Sequence, residues 1–290
     1  MIEAPARRAL RHACRYIRWY IALDQREIDQ DAKWGQNRLP TRRFCAISAV
    51  IGSDPILLIE GFGAHEWQIV ALSLRVAFVS MLFSLPLAII VAYSLARHQF
   101  IGKTIVDAIV HLPLVLPPVV VGFALLMLFG RRGPIGSLLD QWFGIVLAFR
   151  WTGAALASAI MGFPLMVRAI RLSIAAIDPR LEVAARTLGG SRAWVFASIT
   201  LPLALPGIIT GALLSFARGL GEFGATITFV SSIPGETETL PLAIFAFTQV
   251  PGGDAAALRL SVVAVLLSLV ALALSEWLTR RFATHADGRR

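Results

Sequence analysis

Thr226, Thr228, Ser231 and Ser232 place four hydroxyls in one short stretch, with Gly221 and Gly224 before them and Gly235 after. A hydroxyl offers one exchangeable donor, and nearby glycines leave backbone N–H groups accessible, so such a stretch has the donors to pass an anion along without fixing it. The competing reading is that each hydroxyl bonds to the backbone of its own helix. Glu222 lies in the same stretch; it would repel an anion and suits a gate or a contact between two copies better than a ligand role. Arg218 can either snorkel or pair with Glu222. Groups suited to catalysis are scattered. The histidines are His12, His65, His98, His111 and His285, with no H-E-x-x-H, and there is no G-x-x-x-x-G-K-[ST] phosphate loop. Cys14 and Cys45 have no metal-ligand spacing. No metal site and no cofactor bound by this chain are expected, and the chain does not read as an enzyme.

The elements that must position these hydroxyls are membrane helices. Of the 290 residues, 57% are hydrophobic and 16% charged, and the mean hydropathy is +0.71, so much of the surface must face hydrocarbon. The net charge of +9 is read as a topology signal rather than a nucleic-acid signal. Five spans are expected: about Trp67 to Leu95, Ile105 to Phe129, Trp151 to Val167, Leu203 to Leu220 and Leu260 to Leu278. Pro113, Pro117 and Pro118 predict a kinked and inwardly packed second span. Gly207 and Gly211, four apart, predict a close helix approach on the fourth. Residues 221 to 255 read as broken helices or a re-entrant segment. Phe44 to Phe62 is interrupted by Asp54, Pro55 and Glu60 and counts as a weak sixth candidate. Residues 1–64 form a basic extension, expected to be dispensable, and 283–290 a short tail.

Between the third and fourth spans lies D-P-R-L-E-V-A-A-R-T-L-G-G-S-R-A-W-V-F-A-S-I-T-L-P, Asp178 to Pro202. Asp178 can cap a helix that begins at Pro179, and Gly189 with Gly190 can close it, giving a polar helix too short to span a bilayer. Gly189, nine residues, then Ile199, Leu201 and Pro202 resemble the EAA signature of type I ABC-transporter permeases, with Val183 where that signature has Glu. The resemblance implies an all-α integral membrane fold whose coupling loop, 175–202, docks into a separate ATPase subunit. It assigns Glu182, Ala184, Ala185, Arg186 and Gly189 to that contact.

The run A-T-I-T-F-V-S-S-I-P-G-E-T, from Ala225, and H-L-P-L-V-L-P-P-V-V-V-G, from His111, are similar to the molybdate branch of these permeases, and G-E-F-G is shared with sulfate permeases. The resemblance covers about 67 to 282. It implies a permease that imports molybdate as two copies with two ATPase subunits, which use ATP and Mg, and a periplasmic or extracellular molybdate-binding protein. Tungstate or sulfate is the alternative substrate. An ion-coupled carrier is the alternative class, but it is expected to show buried acids for coupling, and Asp107 near a helix end is a poor candidate. With the coupling loop inside, cytoplasmic segments hold eleven Lys and Arg and the outer loops four, which puts the C-terminus in the cytoplasm of a multi-pass plasma-membrane protein. The basic tail then falls on the outer side, consistent with an extension not selected for topology.

Overall fold

The computed structural model describes residues 63–287, with side chains described up to Leu274 and at Trp277. The expectations for residues 1–62, including the tail and the Phe44 to Phe62 segment, fall outside the described residues. Every regular element described is helical: α1 (Ala64–Arg97), α2 (Lys103–Val115), α3 (Pro118–Phe129), α4 (Pro134–Phe143), α5 (Trp151–Ala176), α6 (Pro179–Thr187), α7 (Arg192–Val195), α8 (Leu201–Leu220), α9 (Gly224–Phe229), α10 (Leu240–Thr248) and α11 (Asp254–Asp287). A π-helical turn, Phe196–Thr200, joins α7 to α8. Among the described residues four helices are long and apolar enough to cross a membrane, and a fifth span is the pair α2 and α3, bent by 113°.

The expected boundaries of several spans were too short. α5 continues past Val167 to Ala176, and the fourth span begins at Arg192 because α7, the π turn and α8 run on without a loop. α11 begins at Asp254 and continues as backbone helix to Asp287, so most of the expected tail is helix. Charge marks where the hydrocarbon ends, not where backbone hydrogen bonding stops, so a helix emerging into water need not break there.

The second span departs from the expectation of an inwardly packed kinked helix. Leu116 and Pro117 are extended, Pro118 starts a new helix, and no residue of α2 is buried. Proline lacks an N–H and pushes the residue before it toward extended backbone, so consecutive prolines break rather than bend the helix. The halves still reach opposite ends of α5: Asp107 on α2 pairs with Arg171, whereas Val121 and Leu125 on α3 pack with Ala154, Ala155 and Ala157. The pair is therefore a broken span.

α5 and α8 form the centre. Ala204 and Ile208 of α8 pack with Met166, Val167 and Ile170 of α5 and with Ala88, Ala92 and Leu95 of α1. The expected close approach at Gly207 and Gly211 occurs here: a Cβ on Gly211 would lie 3.0 Å from the Met166 carbonyl oxygen, and one on Gly207 would overlap Ser173. With little hydrophobic drive between helices in lipid, small residues that let backbones approach supply the contact.

Candidate functional site

α6 forms as its sequence predicts. The Asp178 carboxylate accepts from the Arg180 N–H at 2.9 Å, and Pro179 occupies the first turn. At the other end the Gly190 N–H donates to the Ala185 carbonyl and the Gly189 N–H to that of Arg186, with Gly189 at φ +90°. This double bond pattern closes a helix through a left-handed residue, which glycine adopts without a Cβ penalty.

The faces of α6 are distributed differently from the expectation. Glu182 and Ala185 are buried, while Ala184, Arg186 and Gly189 are exposed together with Leu181, Val183 and Leu188, the last at 89%. Glu182 thus points inward: its Oε1 accepts from Arg97 Nε at 3.1 Å and from the Thr200 hydroxyl at 3.0 Å. Arg97 Nη2 also donates to the Ile177 carbonyl at 3.0 Å, satisfying a backbone acceptor left free at the end of α5. One buried ion pair thereby ties α6 to the end of α1, the end of α5 and the start of α8. Glu182 positions the helix, and the apolar, exposed side chains around it form the outward face. A cavity of about 720 Å³ lined by Tyr93, Arg97, Glu182, Val183, Arg186 and Phe196 lies on one side of α6. A second, about 570 Å³, is lined by Leu188, Gly189, Trp194 and Ile199 on the other.

The hydroxyl-rich stretch is broken as expected, into α9, a loop and α10. α9 packs directly on α3: a Cβ on Gly122 would lie 2.5 Å from the Ala225 carbonyl oxygen, and one on Gly224 2.6 Å from Pro118 Cβ. The two runs singled out in the sequence are therefore one packing unit. Thr226 is buried and donates to the carbonyls of Glu222 and Phe223, and Thr228 donates to that of Gly224. Their hydrogens are committed to their own helix, the less specific of the two readings above. Ser231 and Ser232 lie beyond the end of α9 and are partly exposed, with Ser231 at φ +62°. Thr237 fixes this turn by donating to the Ser231 carbonyl and accepting from the Ile233 N–H.

Glu222 is 2% exposed. Its Oε1 accepts from the Ala225 N–H at 2.9 Å, capping α9. Its Oε2 lies 2.7 Å from Arg218 Nη1, an ion pair without a well-aligned hydrogen bond. Arg218 therefore pairs instead of snorkelling alone, and Glu222 is engaged within its own chain.

The opposite end carries groups that the sequence reading did not single out. Glu66, buried, accepts from Arg259 at 2.8 and 3.1 Å, joining α1 to α11, and His65 Nε2 lies 3.2 Å from the buried Glu238. The Arg75 guanidinium stacks on the Trp151 ring at 3.9 Å. From Arg75 to Arg97 the helix rises about 33 Å, close to the thickness of a hydrocarbon core. Arg75 is thus at one edge of the bilayer and Arg97 at the other, a spacing visible in the sequence once both arginines are counted along one helix.

A family model for binding-protein-dependent transport system inner membrane components matches residues 84–284. The chain is 59% identical to the molybdenum transport system permease protein ModB of Escherichia coli K12 over 215 residues, covering 74% of this chain and 94% of that protein. It is 37% identical over 224 residues to the sulfate transport system permease protein CysT of Salmonella typhimurium, covering 76% and 80%. Its fold is similar to that of a bacterial ABC transporter that imports the acidic polysaccharide alginate, with TM-score 0.61, 19% identity and coverage of 95% of this chain and 96% of that one. From the matched span, the identity to these permeases and the all-helical fold, the chain belongs to the family of inner membrane components of binding-protein-dependent transport systems.

Proposed function

We propose that this chain is the membrane-spanning subunit of an ATP-driven molybdate importer, working as two copies with two separate ATPase subunits and an external binding protein that delivers the oxyanion. The observation that carries the substrate is 59% identity across 94% of a molybdenum permease, against 37% for a sulfate permease. ATP and Mg belong to the ATPase subunits, and this chain binds no cofactor and hydrolyses nothing. Closure of the ATPase dimer moves the α6 helices together. Because Glu182 ties α6 to α1 and α8 through Arg97 and Thr200, that displacement reaches the membrane helices as a rigid movement and opens the passage outward. Ala184, Arg186 and Gly189 contact the ATPase through the exposed face of α6, Ala185 supports that face from below, and the C-terminus is cytoplasmic. Ser231 and Ser232, whose side chains remain partly open, supply the exchangeable donors of the passage, with Thr226, Thr228 and Glu222 holding the turn that presents them.

Reconstituted vesicles with binding protein and ATPase test this reading. Labelled molybdate should accumulate on ATP addition, and excess sulfate should compete poorly. Uptake that prefers sulfate at equal concentration overturns the substrate assignment and leaves the family standing.

A further inference from the structure

Beyond transport, the surface between α5 and α8 has the polarity of a lipid. A groove of about 450 Å³ is lined by Leu165, Ala169, Leu172, Pro206, Gly207 and Leu214, with Arg168 between Leu165 and Leu172 on its α5 wall. The floor is tight because Gly207 sits directly on Ser173. From Pro206 to Leu214 the groove runs about 12 Å along α8. A second cavity, about 360 Å³, is lined by Asp107, His111, Arg168, Arg171 and Leu172, so the two meet at Arg168 and Leu172.

The depth and charge of this junction fit a headgroup. Arg168 lies about 25 Å along α5 from Trp151 and about 12 Å before the helix ends at Ala176, within snorkelling reach of the inner edge of a hydrocarbon core about 30 Å thick. Arg171, one turn on, pairs with Asp107 at 2.6 Å, and His111 lies 3.6 Å from the same carboxylate. Arg168 is exposed and forms no ion pair among the described residues, so beside one carboxylate the junction holds two arginines and a histidine. An apolar groove that carries an unneutralised cation within snorkelling reach of the interface matches one chain and one phosphate of a phospholipid.

We propose that an anionic phospholipid of the inner leaflet binds here, with its phosphate on Arg168 and an acyl chain in the α5 and α8 groove. The full chain, purified in mild detergent and equilibrated with equal amounts of phosphatidylglycerol and phosphatidylcholine, is read by native mass spectrometry of retained lipid. Phosphatidylglycerol should be enriched, and Arg168→Gln should cut the enrichment about fivefold. Arg168→Lys should keep most of it, and Arg132→Gln, remote from the groove, all of it. Leu165→Trp, which fills the groove and leaves the charge, should release both lipids. Excess inorganic phosphate should not displace the lipid, since it has no chain for the groove; complete displacement would mean a free-anion site and overturn the proposal. Unchanged enrichment in Arg168→Gln overturns it too, as does a disulfide between two copies of Leu172→Cys, which would make this face the contact between protomers.

Discussion

Glu182 and Glu222 are both buried carboxylates beside an arginine, yet they connect different things. Glu182 reaches Arg97, 85 residues away, and Thr200, and so joins three helices at one end of the bundle. Glu222 reaches Arg218, one turn back, and the N–H of Ala225, three residues on. The first is a tertiary tie and the second a local cap. A helix that must transmit a push needs fixing to its neighbours. A segment that must turn sharply inside a bundle needs its free backbone groups satisfied on the spot.

Removing the arginines in turn tests the contrast most strongly. Arg97→Ala leaves Glu182 buried without its cation, and breaking such a pair costs about 3–5 kcal/mol. The span should still insert, but ATPase should be lost on purification and transport abolished. The double change Arg97→Met with Glu182→Met should restore thermal stability more than transport. Arg218→Ala strands a carboxylate buried even more deeply, so its stability cost should be of similar size, but it breaks no tie between α6 and the membrane helices and ATPase should stay bound on purification. Loss of ATPase from both alanine variants would erase the distinction.

Gly122→Val probes the packing that the Glu222 cap supports. A side chain there meets the Ala225 carbonyl at 2.5 Å, which is backbone and cannot rotate away, so α3 and α9 must separate. Overpacking of this kind costs about 1–3 kcal/mol. Lowered stability together with transport loss is expected. A variant with unchanged melting temperature would show that α3 and α9 are not one unit in the membrane.

Gly189→Asp acts on the other side of the comparison. Space is open around Gly189, so the penalty comes from φ +90° alone, about 1–2 kcal/mol in α6. The Glu182 tie is untouched. The permease should reach the membrane normally, retain little ATPase on purification and transport poorly. Full ATPase retention with a normal import rate would mean that α6 is not the coupling element.

The two regions differed in how far they could be read from sequence. α6 was legible because its signals are local: Asp178, Pro179 and Gly189 fix its ends within a few residues. Which way Glu182 faces was not, because the answer depends on Arg97 at the end of another helix. Around α9, Gly221 and Gly224 announced a break, but whether Thr226 and Thr228 served a passage or their own backbone depended on α3 arriving at Gly122. The broken second span shows the same limit. Three prolines foretold a kink, and the choice between a bend and two helices lay in the extended Leu116 and Pro117, where the Leu116 N–H still closes α2 on the Leu112 carbonyl and the Pro117 carbonyl opens α3 by accepting from Val120 and Val121.

The smallest expected effect separates shape from chemistry at Ser231. This residue holds φ +62°, a conformation that costs a serine about 1 kcal/mol and a glycine almost nothing, and its carbonyl accepts from Thr237 whatever its side chain. Ser231→Gly should therefore leave stability unchanged or raise it by up to about 1 kcal/mol. If the hydroxyl is one of the exchangeable donors of the passage, molybdate uptake should still fall in this stable protein, and Ser231→Asn, which tolerates the left-handed region and keeps a donor, should recover part of it. Thr226→Val, which removes a hydrogen bond internal to its own helix, should alter stability slightly and uptake little. If instead Ser231→Gly transports normally and Thr226→Val does not, the passage runs along α9 itself, and the local cap at Glu222 would then shape the path of the anion as directly as Glu182 shapes the push.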